Sequence, residues 1–110
     1  MILELRTYRL KPGTRRDFVH VMTTQVVPLL RSHGIDVVDC GASLVDENGR
    51  EEAYLIRAFP SLQAHGEQEE AFYTGDAWLR GPREEIVSRL ESYHSIVIEA
   101  SPEAVDALRR

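Results

Sequence analysis

Two interruptions inside one helical stretch constrain this chain more than any other feature. Residues 55–97 read LIRAFPSLQAHGEQEEAFYTGDAWLRGPREEIVSRLESYHSIV: an apolar strand, a helical segment, and a second strand. The helical segment is broken at Thr74-Gly75 and again at Gly81-Pro82. Glycine raises the entropic cost of a helix interior, and proline removes a backbone donor and clashes with the preceding turn. The crossing between the strands is therefore expected in three short pieces, with Asp76 and Gly81 as caps for the restarts and Pro82 suited to a first helical position. Tyr73, Asp76, Trp78 and Arg83 stand at these joints. Broken helices leave space between their pieces, and a tryptophan with a tyrosine and an arginine suits an apolar pocket with a few polar anchors.

The rest of the chain supplies the sheet. Residues 2–10 alternate, with Leu3, Leu5 and Thr7 on one side and Glu4, Arg6 and Tyr8 on the other. Pro12-Gly13 ends that strand, and Thr14 with Asp17 makes a capping pair for a helix. That helix carries Phe18, Val21, Met22, Val26, Leu29 and Leu30 on one stripe. Pro28 is expected to kink it, and Gly34 to stop it. A second strand is expected over Ile35–Val45 and a third over Glu51–Phe59, joined through the Asn48-Gly49 turn signal. Ser61 is placed to cap the next helix. A fourth strand follows over Ser92–Ala100, then a short tail helix opened by Ser101-Pro102.

The order β-α-β-β-α-β defines an α+β, ferredoxin-like domain over residues 1–100, with residues 101–110 as a C-terminal helical tail. Its sheet is four-stranded and antiparallel, with helices on one face, and right-handed crossovers put strands one and three in the middle. Parity splits the strand residues into two sets. One holds Leu3, Leu5, Val38, Cys40, Ala42, Leu44, Tyr54, Ile56, Ala58, Ile96 and Ile98, and the expectation is that the helices cover it. The other holds Glu4, Arg6, Tyr8, Val37, Asp39, Leu55, Arg57, Phe59, Tyr93, Val97 and Glu99, too apolar to stay wet. Soluble monomers rarely expose a large apolar patch, so a homodimer through that sheet face is expected.

Several function classes find no support. A net charge of −5 with no Lys/Arg stripe argues against a nucleic-acid partner. No apolar run approaches the roughly 20 residues of a membrane span, and the alternating strand that follows Met1 leaves no visible targeting segment. The single cysteine, Cys40, reads as a small hydrophobe and excludes an internal disulfide; a reducing, cytoplasmic setting fits. The four histidines, at 20, 33, 65 and 94, show no metal-ligand spacing, so neither a metal nor another cofactor is expected. Haem binding through His33, His65 or His94 has no motif behind it.

Among candidate site residues, His94 is the best general base, placed by parity on the helix side, with Tyr73 as a second proton carrier. Arg6, Tyr8, Arg57, Tyr73, Trp78 and Arg83 are the candidate ligand-binding residues, the arginines because a guanidinium takes a carboxylate or phenolate in two parallel hydrogen bonds. Each also has a structural reading: Trp78 as a core plug, Arg83 paired with Glu84 or Glu85, and Arg6 and Arg57 in ion pairs at the dimer seam.

The opening ELRTY-x-L-K-P-G, the strand exit IRAF-x-SL, and above all FY-T-G-D-A-W-x-x-GPRE followed by S-Y-H-S-I-V resemble the NIPSNAP family over residues 2–98. The resemblance implies a dimeric α/β barrel, within a superfamily that includes cofactor-free monooxygenases, isomerases and haem-degrading enzymes. It implies no settled reaction. Relatives carry glycine and an aromatic residue where this chain has Asp39-Cys40, and some carry tryptophan in place of Arg57. Two functions stay open: a small-molecule pocket with cofactor-independent monooxygenase, isomerase or cyclase chemistry, and a non-catalytic dimeric binding or interaction module.

Overall fold

Alternation in the strands and the two helix breaks are both realised in the computed structural model, which describes residues 1–109. The strands are β1 (Ile2–Leu10), β2 (Asp36–Ala42), β3 (Glu52–Phe59) and β4 (Leu90–Glu99), all antiparallel, in the order β2-β3-β1-β4. The helices are α1 (Arg15–Val21), α2 (Val27–Ser32), α3 (Leu62–Tyr73), α4 (Asp76–Leu79), α5 (Arg83–Val87) and α6 (Pro102–Leu108). A π-helical turn, Met22–Val26, joins α1 to α2. It lies just ahead of Pro28, which falls in the first turn of α2 where a missing donor is tolerated. The expected kink is thus absorbed as a change of helical pitch. Ser61 caps α3 and Ser101 caps α6, each accepting from the backbone N–H three residues on. Thr14 makes no such cap; its hydroxyl donates to the Lys11 carbonyl instead.

Steric contact enforces the two breaks. A methyl group added at Gly81 would lie 2.2 Å from the Ala77 carbonyl oxygen, and one at Gly75 would lie 3.0 Å from that of Ala71. Only a residue without a Cβ lets the chain close down on the preceding turn at Gly81. Asp76 begins α4, but Gly75 takes the capping position with extended backbone. Pro82 caps α5 without a side-chain bond.

The sheet face that the helices cover is the opposite of the one expected. Tyr8, Leu10, Val37, Ala53, Leu55 and Phe59 point into the main core, against Phe18, Met22, Val26, Leu30, Phe72, Trp78 and Ile86. Burying large apolar side chains of this kind contributes about 1.5–3 kcal/mol each. Glu4 and Arg57 are on the same side, 1% and 0% exposed. Leu3, Val38 and Ala58 face the other way, where Val105 of α6 packs on them with Leu5 and Ile56 at the margin. Beyond α6 this second face is open, with Ile96 50% and Ile98 43% exposed. A bulge between Val37 and Asp39 also turns over the outer half of β2. Past it Asp39 lies opposite Ile56 on the open face, where its carboxylate accepts from the Tyr54 hydroxyl, and Cys40 lies opposite Leu55 on the helix side. Simple parity had exchanged these two residues.

Candidate functional site

Register places the polar groups of the site. Across β1 and β3, Glu4 pairs with Arg57; across β1 and β4, Arg6 pairs with Ser95 and Tyr8 with Tyr93. Above them α3 presents His65, Glu69 and Tyr73, four residues apart and so on one helix stripe. The two sets interlock. Arg57 donates from Nε to Glu4 Oε1 at 2.8 Å, from Nη1 to the Tyr73 hydroxyl at 2.8 Å and from Nη2 to Glu69 Oε1 at 2.6 Å. Arg6 donates from Nε to Ser95 Oγ at 2.9 Å, from Nη1 to Tyr73 at 3.3 Å and from Nη2 to Glu4 Oε2 at 3.1 Å. Its guanidinium also lies over the rings of Tyr73 and Tyr93, at 5.5 and 5.0 Å from their centroids.

Buried charge at this density is tolerable only because it is paired throughout. Burial alone would push the Glu4 carboxyl up; a hydrogen bond with Glu69 and the charges of Arg57 and Arg6 outweigh it and hold Glu4 down at about 2. Glu69 moves the other way, raised first by burial and then by that same hydrogen bond with Glu4. Tyr8 is pushed well above its ordinary value, mainly by burial, and stays a neutral hydroxyl.

Beside this cluster opens a pocket of about 520 Å³ between sheet and helices. Met22 and Val26 from the π-helical turn, Trp78 from α4, Ile86 and Val87 from α5 and Leu90 form its apolar walls. Arg6, Tyr8, Glu69, Glu70, Tyr73 and Tyr93 make its polar end. Trp78 meets the edge of Tyr73 at 5.3 Å between ring centroids, fixing one corner. The volume falls within the ~300–1,000 Å³ of small-molecule sites.

Of the residues singled out in the sequence, Arg6, Tyr8, Tyr73 and Trp78 come together here. Arg57 sits behind the lining, fully enclosed by its carboxylate partners. Arg83 begins α5 outside the lining, half-exposed and 3.9 Å from Glu84. His94 lies opposite Thr7 and is exposed on the open side of the sheet, where parity had put it under the helices. Three further residues join the cluster: Glu4, of the same parity set as both arginines, His65, and Glu69, which alone was not expected from the sequence. The four-residue spacing of His65, Glu69 and Tyr73 was the available signal. Acceptor atoms of Glu4, His65 and Glu69 lie within 4.8 Å of one another, as a metal set would. Two guanidiniums already neutralise both carboxylates there, so a divalent cation would bring uncompensated charge into a buried space. His65 Nε2 is buried without a hydrogen-bond partner among the described residues, 3.5 Å from Glu69 and 3.7 Å from Glu4.

A four-stranded antiparallel sheet under broken helices, with a pocket between them, defines a ferredoxin-like α+β domain. An antibiotic biosynthesis monooxygenase shares this fold, with a TM-score of 0.61 at 12% identity over 93% of this chain and 100% of that one. The chain belongs to the NIPSNAP family, whose family model matches residues 3–102. A NIPSNAP family protein of unknown function from Agrobacterium tumefaciens is similar at 26% identity and TM-score 0.80, covering 93% of this chain and 92% of that one. An uncharacterized NIPSNAP domain protein from Burkholderia xenovorans is similar at 18% and 0.78, covering 93% and 96%. No curated protein matches. Among the described residues no helix is long and apolar enough to cross a membrane.

Proposed function

We propose that this protein binds a small molecule in the pocket between β1, β4 and the broken helices, and that it does so as a homodimer. The observation that carries the binding reading is the pocket's division into an apolar wall and one polar end. The dimer is supported by the open sheet face, where Leu5, Ile56, Ile96 and Ile98 have no cover beyond α6. Aliphatic side chains in a row on a sheet are a surface that a second copy would remove from water. The residues are not those expected from the sequence, and the charged set no longer belongs to the seam.

The catalytic form of this reading is cofactor-independent proton transfer. Its support is the opposed pair Glu4 and Glu69: neighbouring carboxyls pushed in opposite directions divide the work of acid and base. Glu69 lines the pocket and would move the proton, with Glu4 holding the arginines in place. Tyr73 accepts from both guanidiniums, which leaves its own O–H to be donated. A non-catalytic binding module would use the pocket without that exchange.

The test uses 2-naphthol as a probe, followed by NMR titration. Val87→Trp, at an exposed position of the lining, should fill the mouth and abolish binding while leaving the fold intact. Unchanged binding in this variant would place the probe elsewhere and remove the reading. Sedimentation at micromolar concentration should give a dimer; a stable single subunit would remove that half of the proposal.

A further inference from the structure

Charge inside the pocket is already balanced. Glu4 and Glu69 are paired with Arg6 and Arg57, and each guanidinium has its nitrogens engaged: Arg6 on Ser95, Tyr73 and Glu4, Arg57 on Glu4, Tyr73 and Glu69. Neither presents the open fork that receives a carboxylate in two parallel bonds. Glu69 and Glu70 belong to the lining as well, and the exposed Glu70 carboxylate repels an anion that enters.

Besides the Tyr73 O–H, one further donor of the lining has no use within the protein. Tyr8 is 4% exposed, lines the pocket and packs its ring on Phe18 at 5.1 Å, yet its hydroxyl has no hydrogen-bond partner among the described residues. A hydroxyl that lines the pocket and makes no bond within the protein is free to bond a ligand there. The hydroxyl is neutral, and Met22, Val26, Trp78, Ile86 and Leu90 supply a dry wall beside it.

We infer that the pocket selects a neutral, largely apolar ligand whose single carbonyl or hydroxyl oxygen bonds to Tyr8, and that it rejects carboxylates of the same skeleton. The inference rests on the small-molecule reading given above and adds the ligand's chemical class. It also separates two roles in the site: Arg6 and Arg57 build its floor, and Tyr8 recognises.

Three probes of one shape test it on the full chain at neutral pH: 2-naphthol, 2-naphthoate and naphthalene. Naphthol is expected to bind at least about tenfold more tightly than naphthoate, since a lost hydrogen bond and an unpaired buried charge both count against the acid. Tyr8→Phe should weaken naphthol by about tenfold and leave naphthalene unchanged within about twofold. The melting temperature of free Tyr8→Phe should match that of the natural chain, because the hydroxyl it removes makes no bond within the protein. A merely structural tyrosine would instead lower it. Naphthoate binding as tightly as naphthol overturns the inference, as does a Tyr8→Phe protein that binds naphthol normally. If Tyr8→Phe fails to fold, the naphthol-to-naphthoate ratio of the natural chain decides alone. Failure of all three probes to bind overturns the pocket reading itself, which is a different outcome from binding in the wrong order.

Discussion

The two faces of the one sheet invert the usual division of labour. The face beneath the helices encloses two carboxylates and two guanidiniums, whereas the face left open carries Leu5, Ile56, Ile96 and Ile98. Charge is admitted to the covered side because its partners are built in at fixed register, Glu4 across from Arg57 and Arg6 beside both. Apolar residues on the outer side have no cover beyond α6 among the described residues. Enclosure, then, follows completeness of pairing more closely than it follows hydrophobicity.

The largest test of this contrast removes a built-in partner. Arg57→Leu leaves Glu4 and Glu69 facing each other with Arg6 alone between them, and should cost about 3–5 kcal/mol in denaturant unfolding. A loss below about 1 kcal/mol would mean that the cluster is solvated in practice and the two faces are electrostatically alike. Acid gives a second test. Glu4 is held at about 2 in the folded protein against an ordinary 4.5, so its contribution to stability is complete above about 4.5 and is lost as the pH falls from there toward 2. Glu69 has the opposite sign: its raised value favours the folded state at low pH, and that contribution disappears as the pH rises through it. Unfolding measured across this acid range should be visibly flatter in Glu4→Gln than in the natural chain. The smallest effect on folding belongs to the open face. Ile96→Ser with Ile98→Ser should change the folding free energy of a single subunit by only about 0.5 kcal/mol. The same pair should shift sedimentation toward monomer. If they destabilise the subunit as Arg57→Leu does, the open face is part of its core and the contrast fails.

Much of the architecture was written locally. Gly75, Gly81 and Pro82 forced the broken crossing, Asn48-Gly49 turned the hairpin with Asn48 at φ 56° and Gly49 at φ 69°, and the handedness of the crossovers placed β1 and β3 in the centre. Parity sorted β1, β3 and β4 into two sets but carried no sign, and the choice of which set to cover was made by counting charges. That count misjudged where Glu4 and Arg57 lie: the ion pairs expected at the dimer seam form under the helices, once β1 and β3 are in register. The bulge at Val38 was invisible for a similar reason: an extra residue in one strand shows only against its neighbour. In the site, Arg6, Tyr8, Tyr73 and Trp78 could be named from their types and the helix breaks. Glu69 was not, because on a helix rich in Glu and Gln it looks like a solvated residue unless its four-residue spacing from His65 and Tyr73 is weighed with the arginines beneath.

At the end of α4, the Ala77 carbonyl occupies the space that a side chain at residue 81 would need. That corner is main chain close against main chain, so no side chain can be placed at residue 81 unless the turn behind Trp78 moves. Under the binding proposed above, a change of ligand preference would come by substitution at Tyr8, Met22 or Ile86, one side chain at a time, while residue 81 stays glycine.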